Sequence, residues 1–161
     1  MGILVSNKHC VTIYSDGSCS PNPGLGGWAA ILIDPVNNRR KEISGVEENS
    51  TNNRMEIRSA IEALNCLKKP CEVTLHSDSK YLIDAFNQGW IENWQETKWV
   101  NSRGCPVANQ DLWKNLLEVT STHNIKWVWV KGHSNNIENE LCDQLAVLAR
   151  QEYIKNKGIR K

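Results

Sequence analysis

Four carboxylates in this 161-residue chain stand where chemistry could use them: Asp16, Glu56, Asp78 and Asp143. Asp16 closes an apolar, alternating run (Val11, Ile13) and is followed by small, turn-forming residues from Gly17 to Gly24. An acid at the end of a strand, before a loop of little bulk, can present oxygen ligands to a metal ion or a phosphate. Asp78 ends a second alternating run (Val73, Leu75), while Glu56 falls in the first turn of one helical segment and Asp143 in the second turn of another. Four carboxylates at one rim would repel each other without a cation. Hard oxygen donors in that number suit Mg²⁺ or Mn²⁺, with water and phosphate oxygens as the remaining ligands. Paired ions roughly 4 Å apart would clamp the attacking and leaving oxygens of a phosphodiester. Each acid also has a plainer explanation. Asp16-Gly17 is a turn signal, Glu56 and Asp143 suit the positive end of a helix, and Asp78 could be an N-cap. Spacing leaves open whether the four meet in space.

Periodicity supplies the elements that must position them. Strands are expected over His9–Ser15, Gly27–Asp34 and Lys41–Glu48, with Asp34-Pro35-Val36-Asn37-Asn38 as a hairpin turn. The period then becomes helical from Asn53 (Ile57, Ala60, Ile61, Leu64, Leu67), with Ser50 to Asn53 as N-cap candidates and Pro70 as a stop. A fourth strand covers Glu72–Ser77, and helices follow at Ser79–Asn87, around Trp90–Trp99 and at Asp111–Val119. A fifth strand carries Ile125, Trp127 and Trp129, and the last helix, Ile137–Tyr153, shows a stripe of Leu141, Leu145 and Leu148. The order β-β-β-α-β-α-α-α-β-α predicts an α/β fold, a mixed sheet with helices on its faces, whose carboxyl edge gathers sites.

Composition sets the outer bounds. The length suits one domain, 1–161, with its core at about 9–153 and a basic end, 154–161, that is expected to fray. A net charge of +1 singles out no class of partner, so any polyanion must be held by local patches. The six cysteines form no CxxC pair and read as free thiols of a reducing compartment. With no leader-like N-terminus and no membrane-length apolar run, a cytoplasmic protein without membrane attachment is expected. Seven tryptophans against one phenylalanine are unusual, and exposed indoles can stack on bases.

Thr12-Ile-Tyr-Ser-Asp16-Gly-Ser-Cys19 with Asn22-Pro-Gly24, Thr51-Asn-Asn-Arg-Met-Glu56, Ser77-Asp78-Ser-Lys-Tyr81, and Val130-Lys-Gly-His133 with Glu138-Asn-Glu-Leu-Cys-Asp143 together resemble ribonuclease H type 1 of the bacterial kind. The match is collinear from about His9 to Arg150. The resemblance implies a five-stranded mixed sheet of order 3-2-1-4-5, its first three strands antiparallel, flanked by helices. It implies a monomeric endonuclease that cuts the RNA strand of RNA/DNA hybrids with two Mg²⁺ ions, Mn²⁺ being a possible substitute, and leaves 5′-phosphate and 3′-hydroxyl ends. Asp16, Glu56, Asp78 and Asp143 match the metal-binding acids, and His133 matches a loop histidine that assists proton movement and product release.

The same resemblance assigns substrate contacts. Cys19, Asn22, Asn52, Asn53 and Glu56 match positions that sense the 2′-hydroxyl, the group that marks the RNA strand. Thr51 and Asn109 match positions that hold a phosphate of the DNA strand, and Trp90 and Trp94, with Trp99, match the aromatic groove of the family's protrusion. The chain departs from the pattern in two places. Residues 90–105 carry Glu92, Glu96, Lys98 and Arg103 and so no net charge where relatives are lysine-rich, and Lys80 stands where glutamine is more usual. Phosphate contacts dominate affinity and its salt dependence, so a neutral protrusion implies weaker binding and a shallower salt slope. Other uses of the fold (transposases, integrases, reverse-transcriptase domains), an inactive hybrid-binding module and a small-ester phosphatase are the competing readings.

Overall fold

The computed structural model describes residues 9–132 and 135–159. Along the chain run β1 (His9–Cys19), β2 (Gly24–Asp34), β3 (Arg39–Ser50), α1 (Asn52–Asn65), β4 (Cys71–Ser77), α2 (Lys80–Asn87), α3 (Trp90–Glu96), α4 (Gln110–Thr120), β5 (Asn124–Trp129) and α5 (Ile137–Ile159). The strands form one sheet in the order β3-β2-β1-β4-β5. β1 pairs antiparallel with β2 and β2 with β3, whereas β1–β4 and β4–β5 are parallel. This is the expected topology, and it makes β1 the central strand. The turn from β2 to β3 is held by Asp34, whose Oδ1 accepts from the backbone N–H of Val36 and Asn37 at 3.2 and 3.1 Å.

Alternation along the strands sends one side chain set into a core against α1. Val11, Ile13, Val73 and Leu75 are buried there with Ile57, Ile61 and Leu64 of α1 and with Trp113 of α4. α1 carries its apolar residues at helical spacing and is capped by Thr51, whose hydroxyl accepts from the Arg54 N–H. α5 lies on the opposite side of the sheet. A Cβ on Gly26 would strike the Met55 side chain of α1, while a Cβ on the next residue, Gly27, would strike α5 at Ala146, and neighbouring strand residues face opposite ways.

Four expectations are corrected. β1 does not end near Asp16 but continues in register to Cys19, pairing Asp16 with Ala29 and Gly17 with Trp28. The Asp-Gly pair is therefore strand. Gly17 is needed because α1 crosses over it: a Cβ there would lie 2.4 Å from the backbone C and O of Met55. Glu56 is not in the first turn of its helix. α1 begins at Asn52 and has no acid in its first turn, so the helix dipole does not account for Glu56. The inward face of α5 is not the leucine stripe. Asn139, Cys142 and Ala146 are buried while Leu148 is 51% exposed, because the backbone approach at Gly27 admits only small side chains. Finally, α5 ends not at Tyr153 but at Ile159. Lys157 Nζ lies 2.7 Å from Glu48 Oε2, and the Tyr153 hydroxyl also donates to that carboxylate, which ties the last turns to β3.

The Gly17→Ala substitution forces α1 away from β1. It is expected to cost about 1–3 kcal/mol of unfolding free energy, measured by denaturant titration; an unchanged midpoint would contradict the close approach.

Candidate active site

Asp16, Asp78 and the segment after β5 all lie at the carboxyl edge of the parallel strands, where strand order makes room for a site. Asp16 lies within β1 and is 6% exposed. It alternates with Gly17, so its side chain leaves the sheet on the side of α5, the helix that carries Asp143. The Gly17 N–H donates to its Oδ1 at 2.9 Å. Asp78 directly follows β4. It does not cap α2, since that work falls to Ser79, whose Oγ accepts from the Leu82 N–H at 3.0 Å. Ser79 Oγ also donates to Glu56 Oε2, which links the Asp78 corner to α1. The Asp78 backbone carbonyl accepts from Trp129 Nε1 at 3.1 Å. Just before α5, Asn136 accepts from the Asn139 N–H with its Oδ1 at 2.9 Å, and the helix carries Asp143 in its second turn.

The four acids act on one another. Burial raises the Asp16 carboxyl to about 9, with Asp78 and Asp143 adding to the shift, Gly17 opposing it and Glu56 adding a little more. Glu56 is raised to about 7, first by burial and further by Asp78, against the Ser79 hydrogen bond. The neighbouring Cys142 thiol is raised too, by burial and then by Asp16. Among the described residues no three acid, histidine or cysteine side chains yet converge on one metal-ligand point. The donor set is all carboxylate oxygen, and a divalent cation is the partner that would let Asp16 ionise near neutrality.

The expected contact residues fall into two groups. In the first, the Cys19 N–H donates to Asn52 Oδ1 at 2.7 Å, and the Asn52 N–H donates to Asn22 Oδ1 at 3.1 Å. The loop after β1 is thereby locked to the start of α1, and Asn53 sits exposed on the same turn. Thr51 caps this helix. In the second, Asn109 has left-handed backbone (φ 62°). Its Nδ2 donates to the Tyr81 hydroxyl at 3.0 Å, and its Oδ1 accepts from Arg54 at 3.3 Å. Arg54 also forks onto Asp111 at 3.0 and 2.8 Å. Trp90 and Trp94 do share a face, with ring centroids 6.2 Å apart. Trp90 is 37% exposed, whereas Trp94 packs on Trp99 and Trp113 at 6.1 and 5.7 Å. The two line a cavity of about 180 Å³ with Tyr81, Asn101, Val107 and Ala108. His133 lies outside the described residues.

Ser79, Arg54, Tyr81 and Trp129 were not singled out as site residues by the sequence. The sequence offers a cap at Asp78 before α2 and gives no sign of the reach of Ser79 to Glu56. A cavity of about 680 Å³ lies at the other end of β1 around His9, Leu32 and Leu67.

A sequence model of the RNase H family matches residues 8–151. The chain belongs to the ribonuclease H family. A ribonuclease H of Caldanaerobacter subterraneus subsp. tengcongensis is 59% identical over 152 residues, covering 94% of this chain and 98% of its own. The ribonuclease H of Moorella thermoacetica is 54% identical, covering 88% and 95%. Among solved structures, LC9-RNase H1, a type 1 RNase H with the type 2 active-site motif, superposes with a TM-score of 0.83 at 27% identity, covering 92% of this chain and 75% of that one. LC11-RNase H1, solved with an RNA/DNA hybrid, shares the fold with a TM-score of 0.68 at 21% identity, covering 89% and 99%. Among the described residues of this ribonuclease H, no helix is long and apolar enough to cross a membrane.

The buried acid makes metal-free stability depend on pH. An unfolded aspartate titrates near 4 and folded Asp16 at about 9. The folded state therefore holds the extra proton, and stability falls as pH rises between those values. In EDTA, Asp16→Asn is expected to melt a few degrees (roughly 2–6 °C) above the parent chain at pH 8, with the gap closing towards pH 5. Scanning calorimetry across that range reads the difference; a gap that did not depend on pH would contradict the assignment.

Proposed function

We propose that this ribonuclease H hydrolyses the RNA strand of RNA/DNA hybrids by metal-ion catalysis, leaving 5′-phosphate and 3′-hydroxyl ends. The observation that carries the proposal is the rim around Asp16, a buried carboxyl whose ionisation Asp78, Asp143 and Glu56 all oppose. Asp16, Glu56, Asp78 and Asp143 would hold two Mg²⁺ ions, with Mn²⁺ an alternative. Bound ions supply an activated water and stabilise the leaving 3′-oxygen. The chain's own residues do the rest. The buried Asp16, braced by the Gly17 N–H, keeps water from screening the charges at the centre. Ser79 fixes Glu56, and the turn at Asp78 is fixed by Trp129. His133 would carry a proton to or from the departing strand.

Strand choice follows from the first contact group. Cys19, Asn22, Asn52 and Asn53 border the rim, and their amides and backbone groups suit a 2′-hydroxyl, which both donates and accepts. The names of the relatives at 54–59% identity support ribonuclease activity in this chain. Thr51 and Asn109 would receive a phosphate of the DNA strand, and the partly exposed Trp90 with Trp94 a base or sugar of that strand. The enzyme would act as a monomer in the cytoplasm.

Matched RNA/DNA, RNA/RNA and DNA/DNA duplexes test this directly. Cleavage is expected only in the RNA strand of the hybrid and only with a divalent cation, and Asp16→Asn should lower its rate by about 10³-fold or more. Cutting in EDTA, or an Asp16→Asn protein that kept the parent rate, would refute the reading.

A further inference from the structure

Trp129 is the last residue of β5, and it is 42% exposed. Burial is therefore not the main use of its ring. Trp127, two residues earlier on the same face, is the one that packs, stacked on Phe86 with ring centroids 4.0 Å apart. The polar end of Trp129 is engaged instead: its Nε1 donates to the Asp78 carbonyl at 3.1 Å. The chain that follows keeps to the same corner. The Val130 N–H donates to the Ser77 carbonyl at 2.9 Å. Gly132 passes so close to the Asp78 carboxylate that a Cβ there would lie 3.1 Å from its Oδ2. Residues 129–132 thus hold the carbonyl before Asp78, its own carbonyl and the space beside its carboxylate. Asp78 is also the acid that opposes the ionisation of both Asp16 and Glu56, so a change in its aim is felt at two other acids of the rim.

We propose that Trp129 is a positioning residue for cation binding: its indole N–H fixes the Asp78 turn and, with the chain at Gly132, aims the Asp78 carboxylate into the rim. The inference deepens the metal-ion reading above and rests on it. The bond from Trp129 lies at the surface, so water can replace it and its loss costs the fold little. Water cannot replace its direction. Groups outside the ligand set that orient a ligand govern much of a metal site's affinity.

Mg²⁺ titrations followed by NMR, without nucleic acid, test this on two variants. Trp129→Phe keeps an aromatic ring and removes the N–H; Gly132→Ala crowds the Asp78 carboxylate from the segment after β5. Each is expected to bind Mg²⁺ about 10-fold more weakly than the parent chain. In EDTA each is expected to melt within about 4 °C of the parent, and the KM for an RNA/DNA hybrid at saturating Mg²⁺ should stay within about twofold. The parent Mg²⁺ affinity in either variant would overturn the proposal. So would a Trp129→Phe protein whose hybrid KM rose while its Mg²⁺ affinity did not change. Failure of the parent chain to bind Mg²⁺ would instead bring down the metal-ion reading, and this inference with it.

Discussion

The structure depends on how closely two helices can press on the β1–β2 hairpin. α1 crosses at Gly17 and α5 at Gly27, and at each point a single Cβ would lie 2.4 Å from helix backbone. Real side chains cannot occupy such positions without moving the helix. Because both helices come this near, Glu56 on one and Asp143 on the other lie close enough to Asp16, within β1, to oppose its ionisation. Parallel pairing of β1 with β4 adds Asp78 at the same edge. The acids are gathered by backbone packing, not by any attraction among themselves.

That packing forces an electrostatic cost. Burial and three acid neighbours make Asp16 a poor anion. Such sites are maintained by stability elsewhere. Here the core of α1, α4 and the central strands, with Ile13, Ile61, Leu75, Leu116 and Trp113 fully buried, offsets it. The same core fixes Thr51 and Asn52, so the surface that would sense the ribose and the surface that would bind metal share one rigid support. The hydrogen bonds from Cys19 to Asn52 and from Asn52 to Asn22 make the loop after β1 part of that support.

Much of this was legible in the sequence because it rests on pattern. Alternation located the strands, the change of period located α1, and four acid-bearing blocks in order pointed to the family. Contacts made by absence of a side chain were not legible. Gly17 read as a turn residue because Asp-Gly is a turn signal; its use against Met55 exists only once α1 is folded over it. The leucines of α5 read as the buried stripe, but the fit at Gly27 selects Cys142 and Ala146 and leaves Leu148 in solvent. The cap of α2 read as Asp78 but is Ser79, and the bond of Ser79 to Glu56 crosses between elements that spacing cannot relate. Trp94 illustrates a double role: it lies on the expected aromatic face but is half spent on packing against Trp113.

The central claim is that Asp16 is protonated by its surroundings until a divalent cation takes the proton's place. Carbon-detected NMR of the Asp16 carboxyl, titrated with pH in EDTA and again in saturating Mg²⁺, measures this without reference to activity. A midpoint near 9 in EDTA that drops below about 5 in Mg²⁺ is expected. A carboxyl that titrated near 4 without metal, or one that Mg²⁺ did not move, would contradict it.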